Sequence, residues 1–356
     1  MNLVLTFDYE LFGNGSGDLF KHVILPTEKI LAICDTYGIK TTIFFEVVEY
    51  WAIKQEWDKG NNMGYSQNPV AAMENQLQAA FQNGHDIQLH FHPQWLGAKY
   101  ENDNWVLNLE NWRLSDFLKT DGLDQFGLIK KGIETLQDIV KPIDPDYRPS
   151  IIRAGGYNIM PSLKTAQAML ENDIFVDSSV YPGGMEDGIY SKYDYSHVAN
   201  DLDYWFTNEE NVTEPNNSGK ILEIPIFALP ITRWKKFNKV RIKSILVNKK
   251  SALESIQAKT SNTKMIEKVK YWFQKESITW DFCLFDLNAH KKFIKYIKQH
   301  LEGKRDTFVL VGHPKNFTDE LEFEKFIKES LKSFGFLTLN EFAINIMASQ
   351  SNSQIK

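Results

Sequence analysis

Seven short runs of β-branched, aromatic and aliphatic residues recur along the chain, and most are apolar on both faces. They are LVLTFD (3–8), TTIFFEV (41–47), DIQLHF (86–91), SIIRA (150–154), IFVDSS (174–179), ILEIPIF (221–227) and TFVLVG (307–312). Strands of this kind need cover on both sides, which is the condition of a parallel sheet packed between helices. The segments between the early runs have helical spacing. Residues 27–37 carry an apolar stripe of Ile30, Ile33, Cys34 and Tyr37, with Thr27 as the expected N-cap and Gly38 just past the end. Residues 69–83 begin at Asn68-Pro69, align Met73, Leu77 and Phe81, and stop at Gly84. Each leads at once into a strand. This βαβα alternation predicts an α/β fold, a barrel or an open sheet, and about seven strands over this length favour one barrel-like domain over 1–350 with insertions. Insertions are expected at 51–67, 96–125, 183–219 and 233–280. The last reads as a basic helical insertion, with thirteen Lys and Arg between 233 and 275 against two Glu.

Composition excludes several classes. The net charge of −6 gives no global basic field for nucleic acid. Two cysteines, Cys34 and Cys283, are too few for a disulfide framework or a thiolate metal site, and Cys34 belongs to an apolar stripe. Met1-Asn2 runs directly into a strand, without a basic start, a long apolar stretch and a small-residue cleavage site, and no run approaches the roughly 18 apolar residues of a membrane span. The expectation is a cytoplasmic protein with no transmembrane segment.

Polar residues cluster where the strands end. In parallel α/β folds the chemistry sits at the carboxyl ends of the strands. Those ends offer Asp8 and Glu10, Glu46, His90 and His92, Arg153, Asp177 and His313. Asp8 and Glu10 share one side at period 2, and so do His90 and His92. A carboxylate and two imidazoles converging on one point, with a position left open, is the donor set of a catalytic zinc site. His85 lies at the other end of its strand and reads as structural. Arg153 is placed to pair with a carboxylate such as Asp8 and hold its pKa down. A histidine on the last strand, opposite a metal, is placed to protonate a leaving group.

The order of these motifs resembles the polysaccharide deacetylase family of metal-dependent carbohydrate esterases. TFDYE looks like the first motif, GHDIQLHFHPQW the second, IIRAGGY the arginine motif, VDSSVYPGG the aspartate motif and LVGHP the histidine motif. The resemblance runs from Leu3 to about Pro314 and implies a distorted barrel of about seven strands. It implies Asp8 as general base, Glu10, His90 and His92 as ligands of a divalent metal, zinc first, and His313 as general acid. Arg153 or Asp177 would orient that pair. Glu46, Trp95, Tyr157 and Tyr181 would face the substrate, with the Tyr157 backbone N–H on the oxyanion. Three departures stand out. Tyr9 occupies the usual place of the second acid, Gln94 stands where a second histidine is usual, and two glycines follow the arginine where prolines are usual. His92 or Gln94 must therefore complete the metal site.

The implied reaction is hydrolysis of an N-acyl group, acetyl first, on a sugar in bacterial surface polysaccharide biosynthesis. A nucleotide- or lipid-linked sugar is the expected partner, with peripheral membrane contact through the basic stretch. The rival readings are a metal-free glycoside hydrolase using two carboxylates such as Asp8 with Glu46 or Asp177, and a catalytically inactive carbohydrate-binding relative.

Overall fold

The computed structural model describes residues 1–248 and 273–354. Among them, nine strands build one sheet: β1 (Asn2–Tyr9), β2 (Thr42–Glu46), β3 (Asp86–Phe91), β4 (Ile151–Ala154), β5 (Val176–Asp177), β6 (Trp205–Thr207), β7 (Ile221–Glu223), β8 (Thr307–Leu310) and β9 (Gly335–Leu337). The order is β6-β7-β5-β4-β3-β2-β1-β8, with β9 also on β1. Every pairing is parallel except β6 on β7. Past β7 the chain returns to β8: Ile226 bridges Val309 in parallel, and the Phe227 N–H donates to the Val309 carbonyl at 2.8 Å. The sheet thus curls into a distorted barrel whose parallel members are the seven runs legible in the sequence and the short β9.

The core follows from the strand composition. Leu3, Val4, Leu5 and Phe7 of β1 and Ile43, Phe44 and Phe45 of β2 are fully buried. At about 1.5–3 kcal/mol for each such side chain, burial of this inner layer is the main driving force for the fold. Helices cover the outside: α1 (Leu25–Thr36), α2 (Val47–Asp58), α3 (Pro69–Gln82), α4 (Gln125–Val140), α5 (Leu163–Glu171), α6 (Lys239–Val247), α7 (Leu287–His300), α8 (Glu320–Ser330) and α9 (Leu339–Gln354). No helix among the described residues is long and apolar enough to cross a membrane.

Several boundaries differ from the sequence expectation, each for a local reason. Thr27 does not cap α1. The helix enters from a wider π-type turn at Phe20–Ile24, and Thr27 is buried inside it with its hydroxyl unpartnered. Leu19 and Val23 bury against the core, which carries the helical path N-terminally, and Asp18 receives the Lys21 N–H at 2.7 Å. Residues 51–58 are not an insertion: α2 follows β2 directly, capped by the Glu46 side chain on the Val48 and Glu49 N–H groups at 3.0 and 3.3 Å. Asn68, Pro69 and Gly84 delimit α3 as their chemistry demands, with Gly84 at φ +86. Within 233–280 the helix is α6, and Lys275–Thr279 is a strand antiparallel to Ala228–Thr232. Residues 249–272 of that stretch lie outside the described residues.

Candidate functional site

The carboxyl ends of β1, β3, β4 and β8 bring together six of the side chains singled out in the sequence. Alternation sends Asp8 and Glu10 into the barrel mouth and turns Tyr9 away, where its hydroxyl donates to Gln76 Oε1 at 2.9 Å and its ring packs on Phe45. The residue in the usual place of the second acid therefore faces α3 and not the site.

Arg153 is fully buried at the end of β4. Its Nη1 donates to Asp8 Oδ1 at 2.8 Å and to the Thr6 hydroxyl at 2.9 Å. Nε and Nη2 bind the Ser178 carbonyl and hydroxyl, and the guanidinium lies 3.9 Å over the Phe44 ring. Every edge of the fork is fixed, so Asp8 is presented in one orientation. Burial pushes the Asp8 carboxyl up, but Arg153, His90 and His313 outweigh it and hold Asp8 well below the usual carboxylate range.

His90 is in register with Arg153 and Glu46 on the flanking strands. Its Nδ1 meets the Arg153 carbonyl at 2.9 Å, and a carbonyl only accepts, so Nδ1 carries the proton. Nε2 is buried without a hydrogen-bond partner, 3.4 Å from Glu10 Oε2 and 3.9 Å from Asp8 Oδ2. In the neutral ring its lone pair faces carboxylate oxygen with nothing between, an arrangement that a cation resolves. His92 Nε2 lies 2.6 Å from the same Glu10 oxygen. Ligand atoms of Glu10, His90 and His92 lie within 4.8 Å of one another, as do those of Asp8, Glu10 and His313. Two imidazoles and a carboxylate, backed by outer hydrogen bonds, suit a divalent transition metal.

Gln94 stands behind His92, with its amide nitrogen 2.9 Å from Nδ1 and its carbonyl oxygen unpartnered. Turning the amide over gives that oxygen the Nδ1 proton and leaves the Nε2 lone pair for a cation. Gln94 would thus support His92 from outside if that ring binds a metal. Gly155 makes room for the ring: a Cβ there would stand 2.5 Å from His92 Nδ1. Gly156 and Tyr157 follow with φ of +56 and +64, a tight left-handed turn that prolines could not make.

His313 closes the opposite side. Its Nε2 is 3.5 Å from Asp8 Oδ2 and its Nδ1 3.4 Å from Asp281 Oδ2. Burial pulls its pKa down, but the hydrogen bonds with Asp281 and Asp8 prevail and raise it to about 9. Asp281 is itself fixed, accepting the Cys283 and Leu284 N–H groups on Oδ1. Sequence reasoning missed Asp281. SITWD has the same form as LVLTFD, an apolar run ending in aspartate, but all of it except Asp281 falls in the stretch read as a basic insertion. Lys315 was also missed. Its ammonium sits 2.6 Å from Glu10 Oε1 and 2.8 Å from the Leu11 carbonyl, and its signal is the i+2 spacing after His313 at a strand end.

The remaining residues named from the sequence have other partners. Asp177 faces Glu223 across paired strands and accepts from the Ser179 hydroxyl at 2.6 Å. Burial raises both carboxyls, and Glu223 well above its usual range. No hydrogen bond or ion pair joins Asp177 to His313 among the described residues; Asp281 has that contact. Glu46 is buried as the cap of α2, with its pKa raised by burial and by Glu49. Trp95 is buried against Trp105, with ring centroids 5.1 Å apart. Tyr157 and Tyr181 pack edge to face at 5.0 Å, and the Tyr181 hydroxyl meets that of Tyr193 at 2.9 Å.

The curled, mostly parallel α/β barrel is a fold shared with a solved polysaccharide deacetylase structure. Among solved structures, an assigned polysaccharide deacetylase from Mycobacterium smegmatis superposes with TM-score 0.50 at 14% identity, covering 98% of this chain and 91% of that one. An allantoinase gives TM-score 0.47 at 12% identity, with 98% and 90% covered. The chitin deacetylase of Colletotrichum lindemuthianum gives 0.35 at 12%, with 95% and 85% covered. No family model matches the chain, and no curated protein matches it. At these identities the likeness establishes the fold alone.

Proposed function

We propose that this protein is a metal-dependent hydrolase that removes an N-acyl group, acetyl first, from a sugar used in bacterial surface polysaccharide synthesis. The observation that carries the reading is the buried, unpartnered His90 Nε2 aimed at Glu10 beside His92, with Asp8 and His313 across the same opening. Glu10, His90 and His92 would hold the metal, zinc by their donor chemistry. When bound it would supply Lewis acidity to the substrate carbonyl and to the attacking water.

The chain's own residues carry the protons. Asp8, kept ionised by Arg153, accepts the water's proton at Oδ2, the oxygen that Arg153 leaves open. His313, protonated and fixed by Asp281, donates from Nε2 to the departing amine nitrogen. The Tyr157 N–H, in its left-handed turn, is the donor assigned to the tetrahedral oxyanion. Arg153 positions the base, and Asp281 takes the orienting role for the acid. The acyl group leaves as a carboxylic acid and the sugar as an amine. Nucleotide- or lipid-linked sugars are the first substrates to screen.

One contact favours a second reading, a metal-free carbohydrate-binding relative: Lys315 already gives Glu10 a cationic partner. The two-carboxylate glycosidase is less well served. Glu46 caps a helix, and Asp177 is closed against Glu223. Elemental analysis of the purified protein beside His92→Ala separates these readings. About one zinc per chain, lost in the variant, supports the metal site and leads to assays for acid released from acylated sugars. No metal in the wild type after incubation with zinc would leave the binding-protein reading.

A further inference from the structure

The chain carries −6 overall, yet Arg233–Lys236 and α6 hold six basic residues and no acidic one. Charge is therefore segregated. The described part of 233–275 also exposes apolar surface of an unusual kind. Trp234 is 50% and Leu246 66% exposed, and Phe237, Ile242, Val247 and Phe273 are exposed beside them. Single exposed hydrophobes are ordinary, but tryptophan, phenylalanine and branched aliphatics interleaved with lysines in one strip are not. Four of the basic residues also pair with barrel acids. Arg233 and Lys236 share Glu276 at 2.9 and 2.7 Å, Lys239 meets Glu322 at 2.8 Å and Lys243 meets Asp319 at 3.3 Å.

The strip borders the candidate site. The Asn248 amide at the end of α6 donates to the Lys315 carbonyl at 2.8 Å, and the Ser244 hydroxyl meets Asn316 Oδ1 at 3.4 Å. Both bonds fall on the loop that carries His313 and Lys315. A surface bound by α6 would therefore lie at the rim of the catalytic opening.

We propose that the strip formed by Arg233–Lys236 and α6 docks on an anionic lipid surface and holds the barrel mouth toward it. Lysines near such a surface are attracted by the anionic headgroups, while Trp234 and the aliphatic side chains enter the headgroup boundary. A nucleic-acid backbone would match the charge but leave Ile242, Ile245 and Leu246 without a partner. The proposal concerns binding, so it stands or falls separately from the acyl-hydrolase reading.

The test is sedimentation of the full chain with vesicles of phosphatidylcholine alone and with phosphatidylglycerol added. The comparison variants are Trp234→Ser/Leu246→Ser and Lys235→Gln, whose side chains are not part of the catalytic machinery. The wild type should bind only the anionic vesicles and be released by high salt. Lys235→Gln should weaken binding about fivefold, as expected for one basic residue near the surface. The double variant should weaken it further, with the circular dichroism spectrum unchanged. No binding to anionic vesicles at low salt would overturn the proposal. So would equal binding by the double variant, or tighter binding to a short duplex DNA than to the vesicles.

Discussion

Asp8 and Asp281 are two aspartates whose surroundings separate their tasks. Arg153 grips one oxygen of Asp8 and leaves the other toward His313, so the group is oriented and ionised, as the proposed base must be. Asp8→Asn keeps the shape but cannot accept the proton. Turnover should fall about 10²–10⁴-fold with metal content unchanged, and full activity in the variant would reject the assignment. Asp281 acts through His313. Because His313 has a raised pKa, it is protonated below that value, and activity should decline as pH rises through it. Asp281→Asn removes a hydrogen bond that favours the charged form, so the declining limb of the kcat/KM profile should move to lower pH. A variant with reduced kcat and an unmoved limb would show that Asp281 does not hold the acid. At this scale the sequence was readable where period-2 alternation applies, as for Asp8 with Glu10 and His90 with His92. It was not readable for Asp281 and Lys315, because their contacts with His313 and Glu10 join residues about 30 and 300 positions apart and leave no local periodicity.

Elements place these groups more tightly than their irregular sequences suggest. β3 and β4 run side by side in register, so the turn after β4 passes over the ring of His92. Gly155 is required by that approach and not by its own backbone angles. Gly155→Ala should push the imidazole away. Overpacking of this sort costs about 1–3 kcal/mol, and disturbing a ligand's support weakens metal binding about 10–100-fold. A thermal melt and a zinc titration measure the two effects; unchanged zinc affinity would show that His92 is not a ligand. The glycines were visible in the sequence, but the steric reason was not, because it belongs to a neighbouring strand. Helix α2 was obscured for a different reason. Its tryptophans and charges spread around the helix, and Glu49 and Glu56 are among its buried residues, so no clean apolar stripe marks it. Strands β1 to β3 were plain because doubly buried parallel strands must be apolar throughout.

At the scale of the whole molecule, the parallel run of strands was legible and the closure of the barrel was not. Closure depends on the return of the chain at Ile226 and on the packing of 280–330 against β8, contacts between residues far apart in the sequence. That packing contains a pH-sensitive point. His290 on α7 accepts the Trp280 indole N–H at 2.8 Å and stacks on Phe326 of α8 at 3.9 Å. Burial lowers its pKa to about 3. The ring therefore stays neutral in the fold while the unfolded chain binds a proton below its ordinary value of 6.5. The unfolded state holds more protons between these values, so stability is lost as pH falls through that window and retained above it. The loss from this group is about 1.4 kcal/mol per pH unit well below 6.5, or roughly 2 kcal/mol at pH 5. His290→Gln keeps an acceptor for the indole but cannot titrate. Its unfolding free energy, measured in urea from pH 7 to pH 5, should fall less steeply than that of the wild type by about one proton's worth. Identical slopes would mean that His290 is already protonated in the fold. A junction that holds a neutral histidine between α7, α8 and the Asp281 segment then also governs how firmly Asp281 is held against His313, so acid loosening of this packing should reach the candidate site before the barrel itself unfolds.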